Sequence, residues 1–358
     1  MRIFRFLSMV LALLLALSAP LAQAAGPYRD LALGALSWIA AQQQSDGSFP
    51  GFSPSTTADA VYAICAVGGD PNGFLKDGHS PNSYLAANAI VLAANPGSAA
   101  KGVLAVVCAG QDPRRLGGVD LLAVVEQAGD PASGQYGYDL TSHAFAVFAL
   151  AATGRPLPAS ALAWLRQAQT PEGGWSWSGD PAAGGADTNS TALAIQALAA
   201  GGVAASDPAI QSALAYLHTE QNADGGFPYV KPSPYGTDTD ANSTAYVIQG
   251  LVAAGEDPEG PAWTVNGKTP LTALWSLQLP SGALQWQAGY GENALATYQA
   301  VPAFMLAAFP LARTAAGESP ALLPVTGADL ALPAGLALAG LGALALGLRL
   351  RRSTRGPS

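Results

Sequence analysis

Charged side chains are scarce in this chain of 358 residues, where they make up 11% of the sequence. The net charge of −8 disfavours nucleic acid and anionic lipid as partners, because both are bound through basic surfaces. The 3 histidines and 2 cysteines are scattered and lack the spacing of zinc ligands, so we expect no metal site. So little charge also implies helices that are packed on several sides.

Both ends of the chain carry patterns of processing signals. Residues 1–24 combine a basic start, a short apolar run and the small-x-small sequence Ala22-Gln23-Ala24, which predicts a secretory signal peptide. Near the other end, LPVTG at 323–327 precedes an uncharged apolar stretch, 330–348, that is long enough to cross a bilayer as a transmembrane helix. The arginines that follow would stay on the cytoplasmic side.

This order of features resembles the sorting signal of sortase-anchored bacterial surface proteins. The resemblance implies that a sortase cleaves between Thr326 and Gly327 and joins Thr326 to the cell envelope. Residues 323–358 would then be the sorting signal and residues 312–322 a linker. The alternative is a membrane anchor that keeps its span. Both interpretations predict an exported body, residues 25–311, at the cell surface.

The two cysteines stand at the same place in two similar segments, YAICAVGGDP and LAVVCAGQDP. In an exported protein Cys65 and Cys108 could form one disulfide if neighbouring helices bring them together. Two buried free thiols are the alternative.

Internal repeats dominate the body of the chain. One unit joins an apolar helical pattern, a glutamine and a glycine-rich turn between two aromatic residues: LSWIAAQQQSDGSF, LAWLRQAQTPEGGW and LAYLHTEQNADGGF. Glycine ends a helix there because it accepts the left-handed conformation. An alanine-rich helical pattern with a polar start follows each turn. Six such pairs and no strand pattern of useful length predict an all-α protein.

Small residues in the alanine-rich helices favour an inner ring, with the bulkier helices outside it. All inner helices would run the same way, so their N-termini would share one rim. We predict inner helices near 55–68, 98–110, 139–153, 187–201, 240–254 and 292–308, and outer helices near 28–44, 83–94, 119–128, 159–169, 208–221 and 269–278.

The motif W-x4-Q-x3-G-x-[WF], followed by an alanine-rich helix with polar residues at its start, resembles the repeats of terpenoid cyclases and protein prenyltransferases. That resemblance implies an (α/α)6 toroid over residues 28–311. Within this superfamily the chain is similar to transcobalamin and intrinsic factor, on D-T-x-x-x-A at 187–192 and on LATYQAVPAF at 295–304. A corrinoid is therefore one candidate ligand. Those carriers add a β-domain that is not evident here, which implies a second ligand-binding protein or domain as partner.

Two inner helices begin with the same polar head, DTNST from Asp187 and DANST from Asp240. Asp, Asn, Ser and Thr cap the free N–H groups of a helix start, and this accounts for part of the head. A helix cap uses only one side-chain oxygen. The other polar side chains of each head, including Asn189 and Asn242, therefore favour a small polar ligand at the rim. Asp139 fills the same slot in a third repeat.

His143 occupies the position of the threonine in the other heads. It either packs within the rim or ligates the metal of a corrinoid, since neutral imidazole is a good metal ligand. Tyr246, Trp286 and Tyr290 are candidate stacking surfaces for a flat ligand, although packing is the more ordinary role of such residues.

Hopene-forming cyclases carry D-x-D-D-T-A at such a helix start, and the resemblance implies that the middle aspartate donates the initiating proton. Asn242 stands in that position and has no acidic proton, which argues against a class II cyclase and leaves no catalytic residue to name. We predict a non-enzymatic, wall-anchored ligand-binding protein. The alternatives are an extracellular enzyme on the same barrel, either a diverged cyclase or a carbohydrate-active enzyme, and a structural domain with a filled barrel.

Overall fold

A computed structural model describes residues 27–182, 184–234 and 236–311. The predicted signal peptide, the linker and the sorting signal with Thr326 and Gly327 lie outside the described residues. Within the described ranges, no helix is long and apolar enough to cross a membrane.

The described residues form thirteen helices and only two strands of two residues each, which confirms the predicted all-α class. In chain order they are α1 (Pro27–Ala41), α2 (Pro54–Ala66), α3 (Pro81–Ala87), α4 (Ala89–Leu92), α5 (Pro96–Cys108), α6 (Leu121–Gln127), α7 (Leu140–Ala152), α8 (Ala159–Gln167), α9 (Thr188–Ala200), α10 (Pro208–Glu220), α11 (Ala241–Ala253), α12 (Pro270–Ser276) and α13 (Ala294–Phe304). A 3-10 turn (Pro261–Trp263) precedes α12, and the strands β1 (Leu284–Gln285) and β2 (Glu292–Asn293) form an antiparallel pair before α13.

Helices α2, α5, α7, α9, α11 and α13 form the inner ring of an α/α toroid. Each packs against the next in chain order, and α13 closes the ring against α2. The other helices pack outside this ring, at the six positions that the repeats predict. One of these positions differs from the prediction, because the expected helix near 83–94 is divided at Asn88 into α3 and α4.

The inner helices begin and end where their sequences dictate. Asp139, Asp187 and Asp240 each accept the backbone N–H of the residue three positions on, at 2.6 to 2.7 Å, and thus cap α7, α9 and α11. At the other end, Gly202 and Gly255 follow α9 and α11 with φ of 79° and 77°, a conformation that L side chains rarely adopt.

Small residues let the inner helices approach closely. A Cβ added to Gly250 of α11 would lie 3.2 Å from the backbone of Ala192 in α9, so even alanine would crowd this crossing. Cys65 of α2 and Cys108 of α5 lie on neighbouring inner helices and are joined by a disulfide. The structure contains no free cysteine within the described residues, and of the two alternatives left open by the sequence it contains the disulfide.

The same hydrogen bond recurs between an aromatic turn and the inner helix that follows it. The backbone N–H of Trp175 donates to Thr191 Oγ1 at 3.0 Å, and that of Phe227 donates to Thr244 Oγ1 at 3.0 Å. The threonines of the repeated heads therefore do not cap their own helices. They accept a buried N–H from the preceding turn, which fixes the turn above the helix start.

Candidate functional site

The inner helices present their side chains to the barrel axis in layers. Counted from the capping residue of each helix, the second, sixth and ninth positions fall on one helix face. The second positions, at the N-terminal end, form the rim layer: Ser55, Gly97, Thr141, Asn189, Asn242 and Leu295. The sixth positions form the middle layer: Asp59, Lys101, Phe145, Leu193, Tyr246 and Gln299. The ninth positions form the lower layer: Tyr62, Leu104, Phe148, Gln196, Gln249 and Pro302.

The middle layer forms a floor across the barrel. Lys101 Nζ lies 2.6 Å from Asp59 Oδ1 and 5.3 Å from the centre of the Phe145 ring. On the other side, Gln299 Nε2 donates to the hydroxyl of Tyr246 at 3.1 Å. Burial raises the pKa of Asp59, while the charge of Lys101 and its hydrogen bond lower it. These contacts cross-link neighbouring inner helices and close the barrel below the rim.

Phe309 fills the barrel from the opposite end. Its ring lies 5.1 Å from that of Tyr62 and 5.5 Å from that of Phe148, measured between ring centres. Its backbone N–H donates to Gln196 Oε1 at 3.0 Å, which holds the segment after α13 inside the ring. The cavity left between the middle and lower layers measures only about 10 Å³. That volume is at the lower limit for a single water molecule.

Above the floor, a pocket of about 270 Å³ opens at the rim between α5 and α7. Lys101 and Phe145 of the middle layer lie at its base. Its walls combine a carboxylate, an amide, hydroxyl groups and one indole ring: Asp139, Asn95, Ser98, Thr141, Ser142 and Trp177, with Gly97 completing the lining. Pockets for drug-sized ligands measure about 300 to 1,000 Å³, so this rim pocket suits a small polar group.

Exposed aromatic side chains surround the rim. The turn before an inner helix repeats the pattern aromatic-x-aromatic, as in Trp175-Ser-Trp177 and Phe227-Pro-Tyr229, and alternate residues of an extended segment face opposite sides. The first aromatic of each pair is buried and the second is exposed. We call the exposed set the aromatic belt: Phe52, Tyr138, Trp177, Tyr229, Trp286 and Tyr290.

Backbone hydrogen bonds place the belt over the inner helix starts. The N–H of Leu140, the first residue of α7, donates to the carbonyl of Trp177 at 2.9 Å. The first residue of α9, Thr188, donates in the same way to Tyr229 at 2.9 Å, and Ala241 of α11 donates to Trp286 at 2.8 Å. Each of these three belt residues thus lies over the start of the inner helix before it.

Among the acidic residues of the rim, Asp187 has the most strongly shifted pKa. Its carboxylate is 3% exposed, and Oδ1 accepts the N–H of Ser190 while Oδ2 has no hydrogen bond. Burial raises the pKa of Asp187 to about 6, against the lowering effect of the Ser190 N–H and of the neighbouring Ser190 and Tyr229 hydroxyl groups. A carboxyl group with this pKa exchanges its proton near neutral pH, but its burial separates it from solvent.

The other predicted rim residues divide into two groups. Asp240 is buried, which raises its pKa, and Trp286 lies beside it. Asp139 is partly exposed and lines the rim pocket. Asn189 and Asn242 belong to the rim layer, and Asn242 Nδ2 donates to Gln299 Oε1 at 2.7 Å, which ties the rim to the floor. Tyr290 is exposed and packs edge-on against Trp286, with ring centres 5.2 Å apart.

Two predicted site residues do not reach an open surface. His143 is fully buried, accepts the N–H of Tyr136 at Nδ1 and pairs through Nε2 with the carbonyl of Ala161. Its ring therefore stands where threonine stands in other repeats and is not available to ligate the metal of a corrinoid. Tyr246 is also buried, with its hydroxyl bonded to Gln299, and presents no face for stacking.

Sequence reasoning missed three residues, Lys101 and Trp177 at the rim end of the barrel and Phe309 at the opposite end. Lys101 stands six residues after the Asn95 cap, and comparison with the same position in the other inner helices would have placed it in the barrel. The aromatic-x-aromatic repeat is visible in the sequence and would have indicated Trp177. No repeat indicates Phe309, because it follows the last inner helix.

Comparison with known proteins agrees with this geometry. Residues 126–266 match the family model of the squalene-hopene cyclase C-terminal domain. Type II terpene cyclase MstE from Scytonema, in its apo form, superposes with a TM-score of 0.53 at 15% identity, over 78% of this chain and 97% of that chain. The chain has a terpene cyclase-like α/α toroid fold.

Other solved structures share this toroid. A substituted MstE bound to its product, merosterolic acid A, gives a TM-score of 0.56 at 14% identity, over 78% of this chain and 96% of that one. A wild-type glycosidase gives 0.52 at 14% identity, over 78% of this chain and 95% of that one. Among curated protein sequences, none matches this chain. Identities this low establish the fold and leave the activity to the site itself.

Proposed function

We propose that this protein is an exported, surface-anchored binding protein that holds a small polar ligand in its rim pocket without transforming it. One observation carries the proposal: the barrel is closed directly below the rim. The ion pair of Lys101 and Asp59 forms the floor, and Phe309 fills the space beneath it. We therefore propose that the ligand binds in the pocket above the floor.

The closed interior argues against a cyclase. A polyisoprenoid chain needs a large apolar chamber, whereas the cavity below the floor measures about 10 Å³. Asn242, at the position of the proton donor in hopene-forming cyclases, already donates its amide to Gln299. A corrinoid is disfavoured too, because the rim pocket of about 270 Å³ is small for such a ring and His143 is buried.

A carbohydrate-active enzyme is the second candidate, and Asp187 is the observation in its favour. A general acid needs a raised pKa, and that of Asp187 is raised to about 6. Against this role, Asp187 and Asp240 are both buried helix caps, so neither offers an exposed oxygen to a glycosidic bond.

The test is to titrate the purified protein by calorimetry with corrinoids, isoprenoid alcohols, free sugars and amino acids, and then to recover each ligand for chromatography. We expect one polar class to bind and to be recovered unchanged. Trp177→Ala should weaken that binding, whereas Trp275→Ala, which removes another exposed tryptophan, on the outer helix α12, should not. Turnover that disappears in Asp187→Asn would instead establish the enzyme.

A further inference from the structure

We infer that the ligand of the rim is a neutral glycan, with one sugar unit in the rim pocket and the rest of the chain along the aromatic belt. This inference rests on the proposed binding function and names its ligand class. It starts from the chemistry of the pocket. A sugar ring presents an apolar C–H face and an edge of hydroxyl groups, and each hydroxyl both donates and accepts hydrogen bonds.

The pocket offers partners for both parts of such a ring. Trp177 supplies an exposed aromatic face, 61% accessible, at the mouth. Asp139 accepts from the N–H and the hydroxyl of Ser142 and has further lone pairs for a ligand. Asn95 caps its helix through Oδ1 and can donate through its amide NH2, and Ser98 and Thr141 supply hydroxyl groups. Mixed donors and acceptors beside an aromatic ring favour an uncharged polyhydroxylated ligand over an apolar one.

The charges in and below the pocket favour a neutral ligand. The ammonium of Lys101 is compensated by Asp59 at 2.6 Å, so it offers no free positive charge to an anion. Asp139 on the wall repels an anionic sugar acid, and the compensated ion pair at the base does not offset that repulsion. Asp187 and Asp240 add negative charge along the same rim when ionised, which disfavours anionic polysaccharides further.

The belt extends beyond the size of one small molecule. Trp177, Tyr229 and Trp286 lie over the starts of α7, α9 and α11, which are consecutive around the ring. Packed helices are about 8–10 Å apart, so the belt residues are spaced to contact separate units of one extended chain.

The experiment measures binding of the full-length protein to neutral oligosaccharides. The probes are glucan, mannan, xylan and chitin fragments from disaccharide to hexasaccharide, with polygalacturonate and heparin as anionic comparators. Affinity is followed by calorimetry and by tryptophan fluorescence. We expect at least one neutral series to bind, with affinity that rises with length and a weak or absent response to the anionic polymers.

Two variants separate the pocket from the rest of the surface. Trp177→Ala should weaken the neutral glycan about tenfold, the change that corresponds to about 1.4 kcal/mol, whereas Trp275→Ala should leave the affinity unchanged. Tyr229→Ala should weaken the hexasaccharide more than the disaccharide, because only the longer chain reaches it.

The possible outcomes distinguish a failure of this inference from a failure of the proposed binding function on which it rests. If a sugar-free ligand or an anionic polymer binds in a Trp177-dependent way and no neutral glycan does, the glycan inference is overturned and the rim function stands. If glycans bind equally to wild type and Trp177→Ala, the placement in the rim pocket is overturned. If no ligand of any class depends on Trp177, both the inference and the proposed function fail.

Discussion

The backbone N–H of Tyr136 donates to Nδ1 of His143 at 3.0 Å, at the position where other repeats use a threonine hydroxyl. The imidazole must be neutral at Nδ1 to accept this hydrogen bond. Burial lowers the pKa of His143 to about 4, against the raising effect of its contact with the carbonyl of Ala161. A single substitution within a structural repeat has thus introduced a buried titratable group.

This histidine should make the protein less stable in mild acid. The unfolded chain binds a proton at His143 below about pH 6.5, whereas the folded protein does so only near its folded pKa of about 4. The free energy of unfolding should therefore fall between those values as the pH decreases, by roughly 3 kcal/mol. Urea unfolding across this range, compared with that of His143→Gln, measures the effect. An identical fall in the variant would show that His143 is not its source.

Asp187 should have the opposite effect on the pH dependence of stability. Its folded pKa of about 6 lies above the usual value of 3.8, so the folded state holds the proton more tightly. Stability from this group is present at low pH and is lost as the pH rises through the folded pKa, by roughly 3 kcal/mol. Asp187→Asn keeps an acceptor for the Ser190 N–H but cannot ionise. The difference between wild type and this variant should grow from about pH 4 to about pH 6, and a constant difference would contradict the shifted pKa.

Phe309 should be a major source of stability even though it lies outside the repeats. Its side chain is buried against Tyr62, Phe145 and Phe148, so Phe309→Ala leaves a cavity and should cost about 3–5 kcal/mol in urea unfolding. The matched control is Phe52→Ala, because Phe52 is 96% exposed and its removal should change stability by less than about 0.5 kcal/mol. Equal effects of the two substitutions would contradict a filled barrel.

The disulfide between Cys65 and Cys108 should stabilise the fold through the unfolded state. It spans 43 residues, and the loss of chain entropy for such a loop corresponds to about 4 kcal/mol. Unfolding with and without reductant should differ by about that amount. The double substitution Cys65→Ala with Cys108→Ala should match the reduced protein and be insensitive to reductant. If reduction changes nothing, the disulfide contributes little to this fold.

The helices could be predicted because each repeat contains sequence signals for the start and the end of its helices. Asp187 and Asp240 cap their helices, and glycines such as Gly202 and Gly255 end them, all through local chemistry. The closed ring was implied by the resemblance of these repeats to those of terpenoid cyclases and protein prenyltransferases. Residues of the rim pocket were harder to identify, since side chains such as Lys101 and Trp177 meet only after six helices have closed.

The sequence left two alternatives open at His143 and Tyr246, contact with a ligand or packing, and both side chains lie in packed regions. The rotation of a helix that is apolar on most sides cannot be fixed from its own sequence. Phe309 was unforeseeable for a related reason, since a chain segment after the last helix can fold back into the barrel only where neighbouring side chains leave space.

The central claim is that ligand binds at the rim and not in the barrel. Hydrogen–deuterium exchange, followed by mass spectrometry with and without the ligand found by titration, tests it directly. The account predicts slower exchange in the segments around Asn95, Asp139 and Trp177, and no change around Gln249 or Phe309. Protection centred on Gln249 and Phe309, with the rim unchanged, would place the ligand inside the barrel and contradict the account.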